Sequence, residues 1–308
     1  MPTVSGPLRE RTPSHGGQAP WRAPRSVLVA VVSAALALLL LAGGCGSRSS
    51  PSGDSGVVAD PTIGDAVDQG VAFLRVNDEV IDPLHLSTLD YLYRNWAIDG
   101  LADTGDLADE VLAEVAAGAP WPHDYGDTNQ ILDLRRLVDP SWRQPPAGPI
   151  EPPGFALMAA ALYCDVQPLD ADDLALWDEE VERGGYLATH VLLAWSWTQA
   201  LGCDDPAIGQ AGRRAEAVVR AEFVELTGSG AAAEIVTDLT LEQAAFLAEV
   251  GADDVLTDQW VDAVVTAQGT DGGWDLNGAG SHWHPTLLAV WVLSASTGPG
   301  AQATWVRQ

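Results

Sequence analysis

An all-α fold built as two concentric layers of helices follows from two features of this sequence. Segments of helical period separated by short Gly, Pro and Asp punctuation run from about residue 61 onward, with no convincing alternating strand. Segments with one wet face also take turns with segments that are apolar all round. Only an outer helix has a wet face, so the alternation asks for an outer and an inner layer. About eleven helices suit an α/α barrel, or toroid, of about six hairpins in one domain; a stacked helical solenoid is the structural alternative.

The elements support this in order. Ile63, Val67, Val71 and Leu74 make a helical stripe, and Leu84–Ile98 is denser in apolar and aromatic residues, as a buried partner is. Asp106–Gly118 is an acidic outer helix, Asn129–Val138 a shorter one, and the Pro-rich Asp139–Pro153 a loop. Phe155–Cys164 and Tyr186–Leu201 are apolar on all sides, and between them Asp172–Arg183 turns Trp177 inward. Ile208, Ala211, Ala215, Val218 and Leu226 form a long stripe with Arg213, Arg214 and Arg220 facing out, followed by Leu239–Val250 as another inner segment. The hairpin Asp258–Leu293 closes the series.

Ahead of the helices, Arg22 and Arg25 precede the apolar run Val27–Ala42 and then Gly43-Gly44-Cys45. A run of about 16 residues falls short of the ~20 that cross a bilayer but suits a secretory signal. Leu41-Ala42-Gly43-Gly44-Cys45 resembles the bacterial lipoprotein box, with Ala42 where Leu is usual. The expectation is a signal peptide over 1–44, lipidation of Cys45, a Ser/Gly/Pro-rich tether over 45–60 and a helical domain over 61–308, held at the extracytoplasmic face of the cell membrane. A cleaved or uncleaved N-terminal anchor with Cys45 an incidental thiol is the alternative. The net charge is −28, and losing the leader's four arginines and one glutamate makes it −31; the chain has no lysine. Such a surface is unsuited to nucleic acid, where Arg and Lys must neutralise phosphates. The membrane partner is therefore expected through lipid alone.

The most specific motif is Gln268-Gly-Thr-Asp-Gly-Gly-Trp274, between an amphipathic helix ending near Gln268 and an apolar helix starting near His284. This Gln-x3-Gly-x-Trp pattern resembles that of the terpenoid cyclase and protein prenyltransferase superfamily, whose folds are α/α toroids. The motif is read as a stability device, in which the Trp packs on the turn and the Gln satisfies exposed backbone groups. The resemblance implies a cavity for a small ligand without implying cyclase or transferase activity. A prenyltransferase-type zinc site has a His near the position of His284, but joined by Asp and Cys, and no cysteine follows Cys203. Asp170-Ala-Asp172-Asp173 has the spelling of a cyclase proton donor, with Asp172 as the candidate acid, yet after Pro168-Leu169 the setting is that of an N-cap and first turn of a surface helix.

His85, His190 and His284 each stand near the start of an inner helix, 105 and 94 residues apart, so all three are expected at one rim of the cavity. Imidazoles there, with His282 and Asp90 nearby, suit metal coordination or proton transfer. They suit equally a polar mouth without chemistry. No cofactor is identified, and the metal is left open. Trp121, Trp142, Trp274 and Trp283 fall in loops, and Glu151, Asp127, Asp238, Glu242 and Asp275 are carboxylates near inner-helix ends, the materials of a glycan site, although nothing selects a pair. The ligand-binding set is His85, His190, Trp274, His282, Trp283 and His284, and the catalytic candidates are His190, His284 and Asp172.

The functional expectation is a tethered toroid that binds a small apolar or saccharide ligand or a protein partner. The alternative is an acid/base or metal-assisted hydrolase or lyase acting on an extracytoplasmic glycan or lipid. Cys164 and Cys203 each follow an inner helix and precede Asp, so they come out at the same end of neighbouring helices and are expected to form a structural disulfide.

Overall fold

Side-chain caps set the starts of four helices. In the computed structural model, which describes residues 62–76, 83–116, 135–137, 141–145, 153–203, 205–228, 230–276 and 278–297, the chain is all-α. The helices are α1 Ile63–Val76, α2 Pro83–Trp96, α3 Thr104–Ala116, α4 Pro153–Leu162, α5 Ala171–Arg183, α6 Gly185–Ala200, α7 Pro206–Thr227, α8 Ala232–Ile235, α9 Asp238–Glu249, α10 Asp258–Thr266 and α11 Trp283–Thr297. Asp170, Asp205, Thr237 and Thr257 cap α5, α7, α9 and α10, each accepting a backbone N–H that the helix leaves unpaired. Two residues on either side of a turn, β1 Trp274–Asp275 and β2 Ser281–His282, pair antiparallel, the only strands among the described residues. Cys45 with its leader and tether, Trp121, Asp127 and Glu151 lie outside the described residues, as does most of the expected Asn129–Val138 helix, of which the 3-10 turn Arg135–Leu137 is described.

Burial follows the alternation in the sequence. Pro285–Leu293 of α11 and Thr240–Ala248 of α9 are buried without a break, whereas α5 buries Trp177, Glu180 and Val181 and α7 one stripe from Ile208 to Phe223. The buried helices neighbour one another in the order α2, α11, α9, α6, α4. The polar-faced helices lie against them: α1 on α11, α3 on α2, α5 on α4 and α6, and α7 on α6 and α9. Gly212 lets α7 approach α6, since a Cβ there would sit 2.1 Å from the Trp195 ring.

Two further links bear on the site. Arg136 is buried and donates to Leu162 O at 2.5 Å and to Asp165 at 2.8 Å, while Arg94 of α2 donates to Leu137 O, so the turn at 135–137 joins α2 to the end of α4. Cys164 and Cys203, just beyond α4 and α6, form a disulfide with Cα atoms 6.2 Å apart. Among the described residues no helix is long and apolar enough to cross a membrane.

The Gln268 motif acts through hydrogen bonds. Gln268 Nε2 donates to Ala66 O at 2.8 Å and to Gly272 O at 2.9 Å, joining the hairpin to α1. The Trp274 indole N–H donates to Val264 O at 2.8 Å, and its backbone N–H to Thr286 Oγ1 at 2.9 Å. Gly272 has φ +90°, and a Cβ there would meet Gln69 O at 2.6 Å, so both conformation and space require glycine. Trp274 is 1% exposed, which corrects its reading as a ligand-binding residue: the ring is filled by packing and the N–H is spent.

Candidate functional site

Three buried helices, α6, α9 and α11, bring their N-terminal turns together. Asp238 opens α9, and Glu242 lies one turn on, so both carboxylates share a face at i, i+4 spacing. Tyr186 and His190 share the same spacing on α6, and His284 is the second residue of α11. His284 Nδ1 lies 2.7 Å from Asp238 Oδ1, and the Tyr186 hydroxyl donates to Asp238 Oδ2 at 2.8 Å. Glu242 sits between two imidazoles, with Oε2 3.7 Å from His284 Nε2 and Oε1 3.8 Å from His190 Nε2. The Thr189 hydroxyl lies within hydrogen-bond reach of both Glu242 Oε1 and Tyr186 O, its one proton serving either acceptor.

Exposure divides these groups into an outer and an inner set. Asp238 and Glu242 are 5% and 2% exposed, whereas the side chains of His190 and His284 are 26% and 29% exposed. The carboxylates therefore lie deeper than the imidazoles, which present the more exposed edges.

Burial and charge then set the protonation states. Burial pushes Glu242 up to about 7; Asp238 adds to this, while His284 and the Thr189 hydrogen bond oppose it. Burial pulls His284 down, but the Asp238 hydrogen bond and the charges of Asp238 and Glu242 outweigh it, leaving His284 above its ordinary 6.5. For Asp238 burial works upward and is outweighed by His284, Tyr186 and His282, so the carboxyl is held low. His190 is driven down to about 4, first by burial and then by His284. Its Nδ1 is buried without a hydrogen-bond partner against Gly154, where a Cβ would come within 2.6 Å. Buried N–H groups are left without an acceptor more rarely than buried acceptors are left without a donor. The neutral ring therefore carries its proton on Nε2, the nitrogen nearer Glu242.

His190 and His284 thus both lie beside Glu242. His85 is in the first turn of α2, and its side chain lies outside the described residues. His282 Nδ1 accepts the His284 backbone N–H at 3.2 Å, and Trp283 lies between the rings of His282 and His284. Asp90 pairs with Arg94 at 3.0 Å. Asp172 corrects the cyclase-like reading: it is exposed in the first turn of α5, donating its backbone N–H to the cap Asp170, and the acids there serve a surface helix end. Asp275 likewise holds its own turn, accepting from Gly280 N at 2.7 Å, and the Trp142 indole donates to Gln144 O within its loop.

Tyr186 and Thr189 escaped the sequence reading, and Asp238 and Glu242 stood unselected among five acids. The available signal was polar residues at i, i+4 on helices otherwise buried all round, since a wholly buried helix carries such pairs only where they find partners. Among the described residues no three His, Cys, Asp or Glu side chains are arranged to hold a metal ion. Compared with protein families, curated proteins and solved structures, the chain matches none.

Proposed function

We propose that this protein is a lipid-anchored, extracytoplasmic α/α toroid whose rim performs acid/base hydrolysis or elimination on a glycan or lipid. The observation that carries the reading is the His284–Asp238 pair. Asp238 fixes Nδ1, which leaves Nε2 as the single nitrogen able to exchange a proton with a bound substrate. His284 is the acid/base residue and Asp238 its positioning residue. His190 donates Nε2–H to a substrate oxygen, and Glu242, holding its proton up to about 7, is a proton reservoir behind both imidazoles.

The toroid draws support from the neighbour order of the buried helices, together with the Arg136 turn that joins α4 to α2. The resemblance to terpenoid cyclases and prenyltransferases extends to the Gln268 hairpin and stops short of their chemistry. A diphosphate needs a cationic cradle, and α6, α9 and α11 contain neither Arg nor Lys. A second reading, a module that binds an apolar or saccharide ligand or a protein without chemistry, is favoured by the depth of Glu242, 2% exposed.

The test is turnover of glycan and lipid-ester panels by purified protein. A pH–rate profile that loses its basic limb in Asp238→Asn, with activity abolished in His284→Ala, supports catalysis; binding that survives both substitutions with no turnover supports the module. For the anchor, Cys45→Ala is expected to move the protein out of membrane fractions or leave it unprocessed, and wild-type protein found free in the cytoplasm would end that part of the reading.

A further inference from the structure

The groups that face outward at this rim define the chemistry of its ligand, provided that the rim is the functional site proposed above. The three helices that build it carry no Arg or Lys. Elsewhere Arg94, Arg136, Arg183, Arg214 and Arg220 are engaged with acids on α2 and α5 or just beyond α4 and α9. An anionic ligand would meet Asp238 and Glu242 with His284 as the compensating charge, and His284 is already committed to Asp238. A cationic ligand would approach that same imidazolium. A wholly apolar ligand would cover the half-exposed edges of His190 and His284 and leave their nitrogens without partners, a cost of at least ~1 kcal/mol for each buried polar group.

An uncharged polyhydroxyl ligand meets none of these penalties. Hydroxyls donate and accept, matching an Nε2–H on His190 and an Nε2 on His284 that changes state with its proton. Flat rings stand beside those nitrogens. Trp283 packs 5.1 Å from His284 and 5.5 Å from His282, and Tyr186 is 39% exposed while its hydroxyl is held by Asp238. The C–H face of a pyranose stacks on such rings, and its hydroxyl edge turns to polar neighbours. We infer that the rim formed by Tyr186, His190, Trp283 and His284 binds an uncharged sugar unit, its C–H face on the Trp283 or Tyr186 ring and its hydroxyls on the two imidazole Nε2 atoms.

The experiment is calorimetric titration of the mature protein with hexasaccharides: neutral ones of glucose (α-1,4 and β-1,4) and N-acetylglucosamine, anionic hexagalacturonate and cationic hexaglucosamine, with farnesol and palmitate as lipid probes. The expected result is binding of at least one neutral hexamer, at least tenfold weaker binding of both charged hexamers and both lipids, and a tenfold or greater loss in Trp283→Ala or Tyr186→Ala with recovery in Trp283→Phe or Tyr186→Phe. Failure of every neutral hexamer to bind, equal binding of a charged hexamer or a lipid, or unchanged affinity in both alanine variants overturns it. Circular dichroism at matched temperature identifies a variant that has lost its fold, and the phenylalanine variant at that position then decides. Neutral sugar bound without turnover sinks the acid/base reading and leaves this one standing. His284-dependent turnover of a lipid does the reverse.

Discussion

His284 and Asp238, 46 residues apart in sequence, share a 2.7 Å hydrogen bond that gives each a charged form the other stabilises. His284, with its pKa raised, contributes stability below 6.5 that fades as pH climbs through its folded value; Asp238, with its pKa lowered, contributes stability above 3.8 that is lost as pH falls through its folded value. The pair therefore contributes fully between these limits. Asp238→Asn removes the hydrogen-bonded charge and leaves Glu242 as the carboxylate that still opposes burial, so the His284 pKa is expected to fall. Proton NMR of the imidazole Cε1–H reads this, and a His284 in Asp238→Asn that titrates no lower than in wild type would contradict the assignment.

Glu242 works in the opposite sense. Its carboxyl, held at about 7 against an ordinary 4.5, favours the folded state while protonated, and that advantage disappears as pH rises from 4.5 through 7. Asp238, His190 and His284 face it, and none supplies a bonded cation. Glu242→Gln keeps the shape and removes the charge. Urea unfolding should show the variant more stable than wild type at pH 8, by about 1–3 kcal/mol, with little difference at pH 5. Equal stability at pH 8 would mean that Glu242 ionises without penalty.

Cys164 and Cys203 close a loop of sequence separation 39 across the ends of α4 and α6. Chain-entropy reasoning gives about 4 kcal/mol for such a loop. The Cys164→Ala/Cys203→Ala double variant should lose much of that in denaturant unfolding, and a non-reducing peptide map of wild type should show one linked pair. Two freely alkylated thiols in the folded protein would refute it.

How much of this was legible depended on range. The alternation of wet and dry helices was readable because it is local, one face of one helix at a time: α5 and α7 keep a wet side, α9 and α11 do not. The cysteines were readable because each marks the same place on a similar helix. The choice of Asp238 and Glu242 over Asp275 was not, because nothing within a few residues separates an acid that meets a distant histidine from one that closes its own turn. Arg136 is similar: beside Arg135 it looks like surface charge, yet Leu162 O and Asp165 take it inside.

Gln268→Ala should cost about 2 kcal/mol, since it strands the Gly272 carbonyl in a part-buried setting and removes the second bond to Ala66 O, which keeps its place in the α1 helix. Thermal unfolding compared with the exposed control Gln210→Ala measures it, and a loss no greater than the control's would show that the motif holds nothing.

The bond from Gln268 to Ala66 spans 202 residues, and α1 also lies on α11 and brings Gly70 against Trp274. Helix α1 is thus made among the first and seated among the last. At ~5–20 residues per second, a ribosome needs about 10–40 s to make the stretch between them, and through that interval α1 has its contacts with Gly100 and Asp103 but not the face that packs on α11 and Trp274. Assembly that waits on this hairpin is slow and exposed to misassociation, so a chain stopped before Trp283 would leave α1 without the α11 face on which it packs.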